Sequence, residues 1–149
     1  MNHDELVSVV EQVINQFYIN DSFLLGISVS EWSIAHRIAV YLEMALTDWD
    51  VDCEYNRTRQ DGSIKQNAEG ENKRPDIVVH HRGKVEIEHN LLVIEVKTAN
   101  SSNDFEKLKD FTSKPEPDQE RPFQYQYGLA LSFVPDLSLH WFREGKELR

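Results

Sequence analysis

The sequence predicts a single mixed α/β domain, and three observations predict it. Two stretches with helical periodicity come first, several short runs rich in β-branched and aromatic residues follow, and one short helix interrupts those runs, giving the order ααβββαββ. The length of 149 residues, with 40% hydrophobic and 28% charged side chains, suits one globular domain with its own core. No internal repeat, coiled-coil heptad or low-complexity tract competes with this organisation.

The elements follow in order. Leu6, Val9, Val10, Val13, Ile14 and Phe17 recur at helical spacing and predict an amphipathic helix from about His3 to Phe17. Asn20 to Gly26 is a connection. Ser28 and Glu31 stand at capping-box spacing before a second helix, Glu31 to about Thr47, with Ala35, Ile38, Leu42, Ala45 and Leu46 as its apolar stripe. Val51 to Thr58 has strand character, and the polar, Gly-containing residues 59–73 read as a loop. Pro75 to His81 and Leu91 to Thr98 are apolar runs around the turn signal Arg82-Gly83-Lys84, which predicts an antiparallel pair. Asn103 to Phe111 is a short helix, a Pro-rich loop reaches Pro122, and Tyr125 to Phe133 and Leu137 to Phe142 are the last strands. The tail after them is charged and expected to fray.

The chemistry concentrates in the antiparallel pair. Side chains alternate along a strand, so Asp76, Val78 and His80 share one face of theirs, and Leu91, Val93, Glu95 and Lys97 share one face of the other. With Val78 opposite Val93, Asp76 falls opposite Glu95, and Lys97 lies two residues further along. Opposed carboxylates repel, so the pair calls for a compensating charge. Asp76, Glu95 and the backbone carbonyl of Val96 offer hard oxygen ligands suited to Mg²⁺, and Lys97 could orient water or offset phosphoryl charge. Glu31 shares the apolar face of its helix and would join them if that helix packs there, although a carboxylate in a first turn is equally explained as a capping group.

Arg74-Pro75-Asp76-Ile77-Val78-Val79 followed by Leu92-Val93-Ile94-Glu95-Val96-Lys97 resembles the signature of the PD-(D/E)XK nuclease superfamily, the restriction-endonuclease-like fold. The resemblance spans about residues 28–134. It implies an αβββαβ core with a central mixed sheet flanked by helices, preceded by an N-terminal helical extension (1–27) and followed by a C-terminal strand and tail (135–149). It also implies Mg²⁺-dependent hydrolysis of nucleic-acid phosphodiesters, with DNA favoured and Mn²⁺ as a substitute ion. Asp76, Glu95 and Glu31 would bind metal and Lys97 would serve the nucleophile.

The same residues allow other readings. Asp76, Glu95 and Lys97 could form a buried ion-pair cluster without catalysis, and the same fold could serve as a non-catalytic nucleic-acid or protein-binding module. A net charge of −10 suggests an acidic mimic of nucleic acid, but the informative carboxylates alternate with Ile and Val instead of lining a surface row. Divided along the chain, residues 1–54 carry −9, residues 55–84 carry +3 and residues 85–149 carry −4. The basic stretch supplies Arg57, Arg59, Lys73 and Arg74 as candidate phosphate contacts, with Tyr55 as a stacking group. His80 and His81 point to opposite faces, which disfavours a shared metal with His89. No phosphate-binding Gly loop, nucleophile elbow or dinucleotide fingerprint occurs. A single cysteine, Cys53, excludes an internal disulfide, and no signal-peptide pattern or apolar span occurs, so the cytoplasm is the expected place and no membrane partner is expected. Cutting both strands of a duplex would most simply require a homodimer.

Overall fold

Helix α1 (His3–Asp21) starts at a capping box: the Asn2 side chain accepts from the Glu5 N–H at 2.9 Å, and the Glu5 carboxylate accepts from the Asn2 N–H at 2.8 Å. In this computed structural model, which describes residues 1–27, 30–55, 57–58, 63–64, 74–98, 105–117 and 124–149, its stripe Leu6, Val10, Val13, Ile14 and Phe17 is buried. Val9 packs at the border of that core. A 3₁₀ turn, Ser22–Leu25, then leads toward α2 (Glu31–Ala45).

Helix α2 departs from expectation at both ends. Ser30 is its N-cap and Glu31 its first helical residue, so Glu31 does not occupy the third position a capping box needs; Ser28 lies outside the described residues. The helix stops at Ala45, which is exposed, while Tyr41 is buried in its place. The Tyr41 hydroxyl donates to the Asp21 carboxylate, which also accepts from Arg37 Nε at 3.1 Å. A phenol with that partner can be buried at little cost, a pairing that helical periodicity alone does not show.

Six strands form one sheet in the order β1 (Asp50–Cys53), β4 (Ile77–His80), β5 (Asn90–Lys97), β6 (Tyr127–Ser132), β7 (Ser138–Arg143) and β8 (Lys146–Glu147). The expected strand over 51–58 is broken, because Glu54 adopts φ 50° and turns the chain off the sheet. Arg57–Thr58 (β2) instead pairs antiparallel with Ser63–Ile64 (β3), a ribbon within what the sequence presents as a loop. Strands β4 and β5 are antiparallel with Val78 facing Val93, the register the alternation requires. Strands β5 and β6 are parallel, joined through α3 (Phe105–Thr112).

The sheet is covered on both faces. Ile77, Val79, Leu92, Ile94 and Val96 pack with α1 and α2, whereas Val78, Val93 and Ala130 pack with Leu108 and Phe111 of α3. Central strands buried on both sides read as continuous apolar runs, as β4 and β5 do. The result is a single α/β domain with three helices and a six-stranded mixed sheet among its described residues. No helix of these residues is long and apolar enough to cross a membrane.

Candidate active site

Strand β4 begins one residue after Asp76, and Pro75 explains why. The register pairs Ile77 with Ile94, which places Pro75 across from Val96. Proline has no N–H, so it cannot give the Val96 carbonyl its ladder hydrogen bond. The Val96 N–H is met by a side chain: Asp76 Oδ2 accepts from it at 2.8 Å. From the first residue of α2, Glu31 Oε2 accepts from the Thr98 N–H at 3.2 Å.

In an antiparallel strand, the N–H and C=O of one residue point to the same side, and residues two apart repeat that direction. The backbone edge of β5 therefore presents, in order, the Val96 N–H held by Asp76, the Val96 carbonyl, and the Thr98 N–H held by Glu31. Two strand residues span about 7 Å, so the two carboxylates meet β5 on either side of that carbonyl. Each carboxylate keeps further lone pairs beyond the one used by the backbone. Two carboxylates and a carbonyl are the hard oxygen ligands that Mg²⁺ takes, with water completing the shell. Among the described residues, no group of three or more His, Cys, Asp and Glu side chains could hold a metal ion. On this chemistry, Asp76, Glu31 and Val96 fit the ion.

Glu95 takes a different direction. It faces α3, is only 3% exposed, and its Oε1 lies 2.7 Å from Lys107 Nζ. Lys107 also donates to the Arg74 carbonyl at 3.3 Å, linking α3 to the segment before Asp76. A cation at that distance offsets the desolvation of so deeply buried a carboxylate. Alternation places Lys97 on the same side as Glu95, at the last residue of β5 and half-buried. Asp76 was expected on that face too; because it precedes the ladder, its carboxylate instead lies at the backbone edge and lines the α2 side. Lys107 carried no sequence signal: it flanks the stripe of Phe105, Leu108 and Phe111, and only the docking of α3 brings it to Glu95.

Beside Asp76 opens a cleft of about 240 Å³ lined by Trp32, Ala35, His36, Cys53, Glu54 and Asp76. Burial and the carboxylates of Asp52, Asp76 and Glu54 push the Cys53 thiol up, so it is neutral at pH 7 and a poor nucleophile or metal ligand. Of the candidate phosphate contacts, Arg74 is exposed at the rim, 4.0 Å from Glu54. Arg57 is described only as backbone in β2, and Arg59 and Lys73 lie outside the described residues. Tyr55, offered as a stacking group, packs edge-on to His80 at 4.5 Å.

The histidines divide as alternation requires. His80 Nε2 meets Asp52 Oδ2 at 2.8 Å, whereas His81 bonds to the Asp48 carbonyl and, through Nδ1, to His89 Nδ1 at 2.9 Å. Comparison of the chain with protein-family models, curated proteins and solved structures gave no significant match.

Proposed function

We propose that this chain is a Mg²⁺-dependent nuclease of the PD-(D/E)XK kind, hydrolysing nucleic-acid phosphodiesters, with DNA as the favoured substrate and Mn²⁺ as a substitute ion. The observation that carries the reading is the open edge of β5, where Asp76 and Glu31 bracket a carbonyl that Pro75 cannot pair. A bound Mg²⁺ would polarise water and neutralise charge developing on the phosphoryl group. Asp76, Glu31 and the Val96 carbonyl would hold the ion. Lys97, next to that carbonyl, would orient the attacking water and offset charge on the phosphate. Glu95, paired with Lys107, would fix α3 against the strand that bears Lys97 and act through that positioning, with direct ligation left to the open edge.

Isosteric changes test this cleanly. Asp76→Asn and Glu31→Gln keep an oxygen to accept from the backbone N–H but lose the negative charge. Metal-dependent cleavage of a labelled DNA is expected to fall to background in both and in Lys97→Ala. Mg²⁺ should raise the Tm of the wild type and not that of Asp76→Asn. Full cleavage in all three variants would overturn the reading. The commitment of Glu95 to Lys107 favours one alternative, a binding module on the same scaffold, which would bind nucleic acid yet cut under no divalent ion.

A further inference from the structure

We infer that the cleft beside Asp76 receives one unstacked nucleobase, so that the substrate is a single strand or a frayed end instead of an intact duplex. The inference rests on the nuclease reading and adds the form of the nucleic acid. The cleft lies between the N-terminal half of α2 and β1, the edge strand of the sheet, so it is open from outside. Its outer wall is Trp32, an indole 63% exposed one turn before the buried Ala35 on α2. A large exposed aromatic at the mouth of a cleft is a stacking platform, and every base offers a π-face. Ala35, with its single methyl, leaves room for a flat ring, and the Cys53 side chain completes that wall.

Beside the exposed His36, the two carboxylates of the cleft suit a base better than a phosphate. Glu54 and Asp76 are acceptors that repel phosphate, while the amino and imino N–H groups of a base edge are donors that a carboxylate takes well. Glu54 is held there at a cost: its φ of 50° is unusual for a residue with a side chain, and its N–H donates to the Asp76 carbonyl at 3.0 Å. That bond ties the base-reading carboxylate to the residue that would hold the metal. Asp76 belongs to both places, so a base in the cleft and the adjoining phosphodiester are presented together. A base inside a duplex is paired and stacked on both faces, and extracting it costs a few kcal/mol.

The test is fluorescence titration of the full chain in EDTA with a mixed-sequence single-stranded DNA, its hairpin duplex and a nucleoside monophosphate, beside a cleavage assay in Mg²⁺. The single strand should quench tryptophan emission and bind at least tenfold tighter than the duplex or the monophosphate. Trp32→Ala, an exposed substitution that leaves the core untouched, should abolish the quenching and weaken binding about tenfold. Quenching without cleavage would uphold the cleft and remove the nuclease reading. Equal cleavage of single and double strands, unchanged in Trp32→Ala, would overturn the cleft and leave the nuclease reading standing. A monophosphate that binds as tightly as the strand would overturn the inference in favour of a free nucleotide.

Discussion

At the scale of single residues, the same side-chain type does opposite work in neighbouring places. Among the described residues, Asp76 accepts from a single backbone N–H, that of Val96, and faces a cleft, whereas Asp52, on the adjacent strand, is saturated by donors: His80 Nε2 and Arg82 Nε each reach Oδ2 at 2.8 Å, and Arg82 Nη2 reaches Oδ1 at 2.7 Å. Burial alone would raise the Asp52 pKa, but these hydrogen bonds and the Arg82 charge hold its carboxyl well below the usual range. A lowered folded-state pKa stabilises the protein above the unfolded value of about 4, and that stability is lost as pH falls toward the folded value. Melting curves should therefore show Tm falling below about pH 4, with a shallower fall in Asp52→Asn. An unchanged acid limb in that variant would assign acid sensitivity to other carboxylates, such as Asp21, lowered by its bonds to Tyr41 and Arg37.

At the scale of elements, the decisive fact is where β4 stops. Pro75 has no N–H to offer the Val96 carbonyl it faces, and the Val96 N–H donates to the Asp76 side chain. Pro75→Ala restores an N–H at the position facing that carbonyl, so cleavage should drop several-fold while Tm stays within a few degrees. Retained activity would show that the carbonyl is not needed. Helix α3 is held by a different constraint. A Cβ on Gly128 of β6 would lie 3.1 Å from Thr112 Cγ2, 3.3 Å from Phe142 Cβ and 3.4 Å from Leu108 Cδ2. Gly128→Ala should destabilise the fold by about 1–3 kcal/mol in urea titration, because neither the sheet nor α3 can retreat without opening the core. It should also weaken the Lys107–Glu95 contact, since both depend on that docking.

At the scale of the whole molecule, a net charge of −10 limits how nucleic acid could approach. The acidity sits mainly in residues 1–54, which carry −9, while the stretch leading to Asp76 is the net-positive one. One approach face with few phosphate contacts follows. If Arg57, Arg59, Lys73 and Arg74 are those contacts, the slope of log K against log salt on single-stranded DNA should be no steeper than about −3. A slope near −6 would require a basic surface beyond these residues.

The sequence by itself determined the α/β class, the two apolar central strands and their register. Strand periodicity and β-branched composition are local properties that survive any packing, and the Val78–Val93 pairing follows from them. It also marked Glu31, Asp76, Glu95 and Lys97 as charges that interrupt apolar pattern. Only the tertiary structure decided which of these meet. Alternation holds inside a ladder, so it placed Glu95 correctly with Val93, but Asp76 lies one residue before the ladder and follows the backbone edge instead. Lys107 and the cleft around Trp32 are not legible in the sequence because each joins residues from separate elements, and the docking of α3 and α2 on opposite faces of the sheet brings Lys107 to β5 and Trp32 to the end of β1.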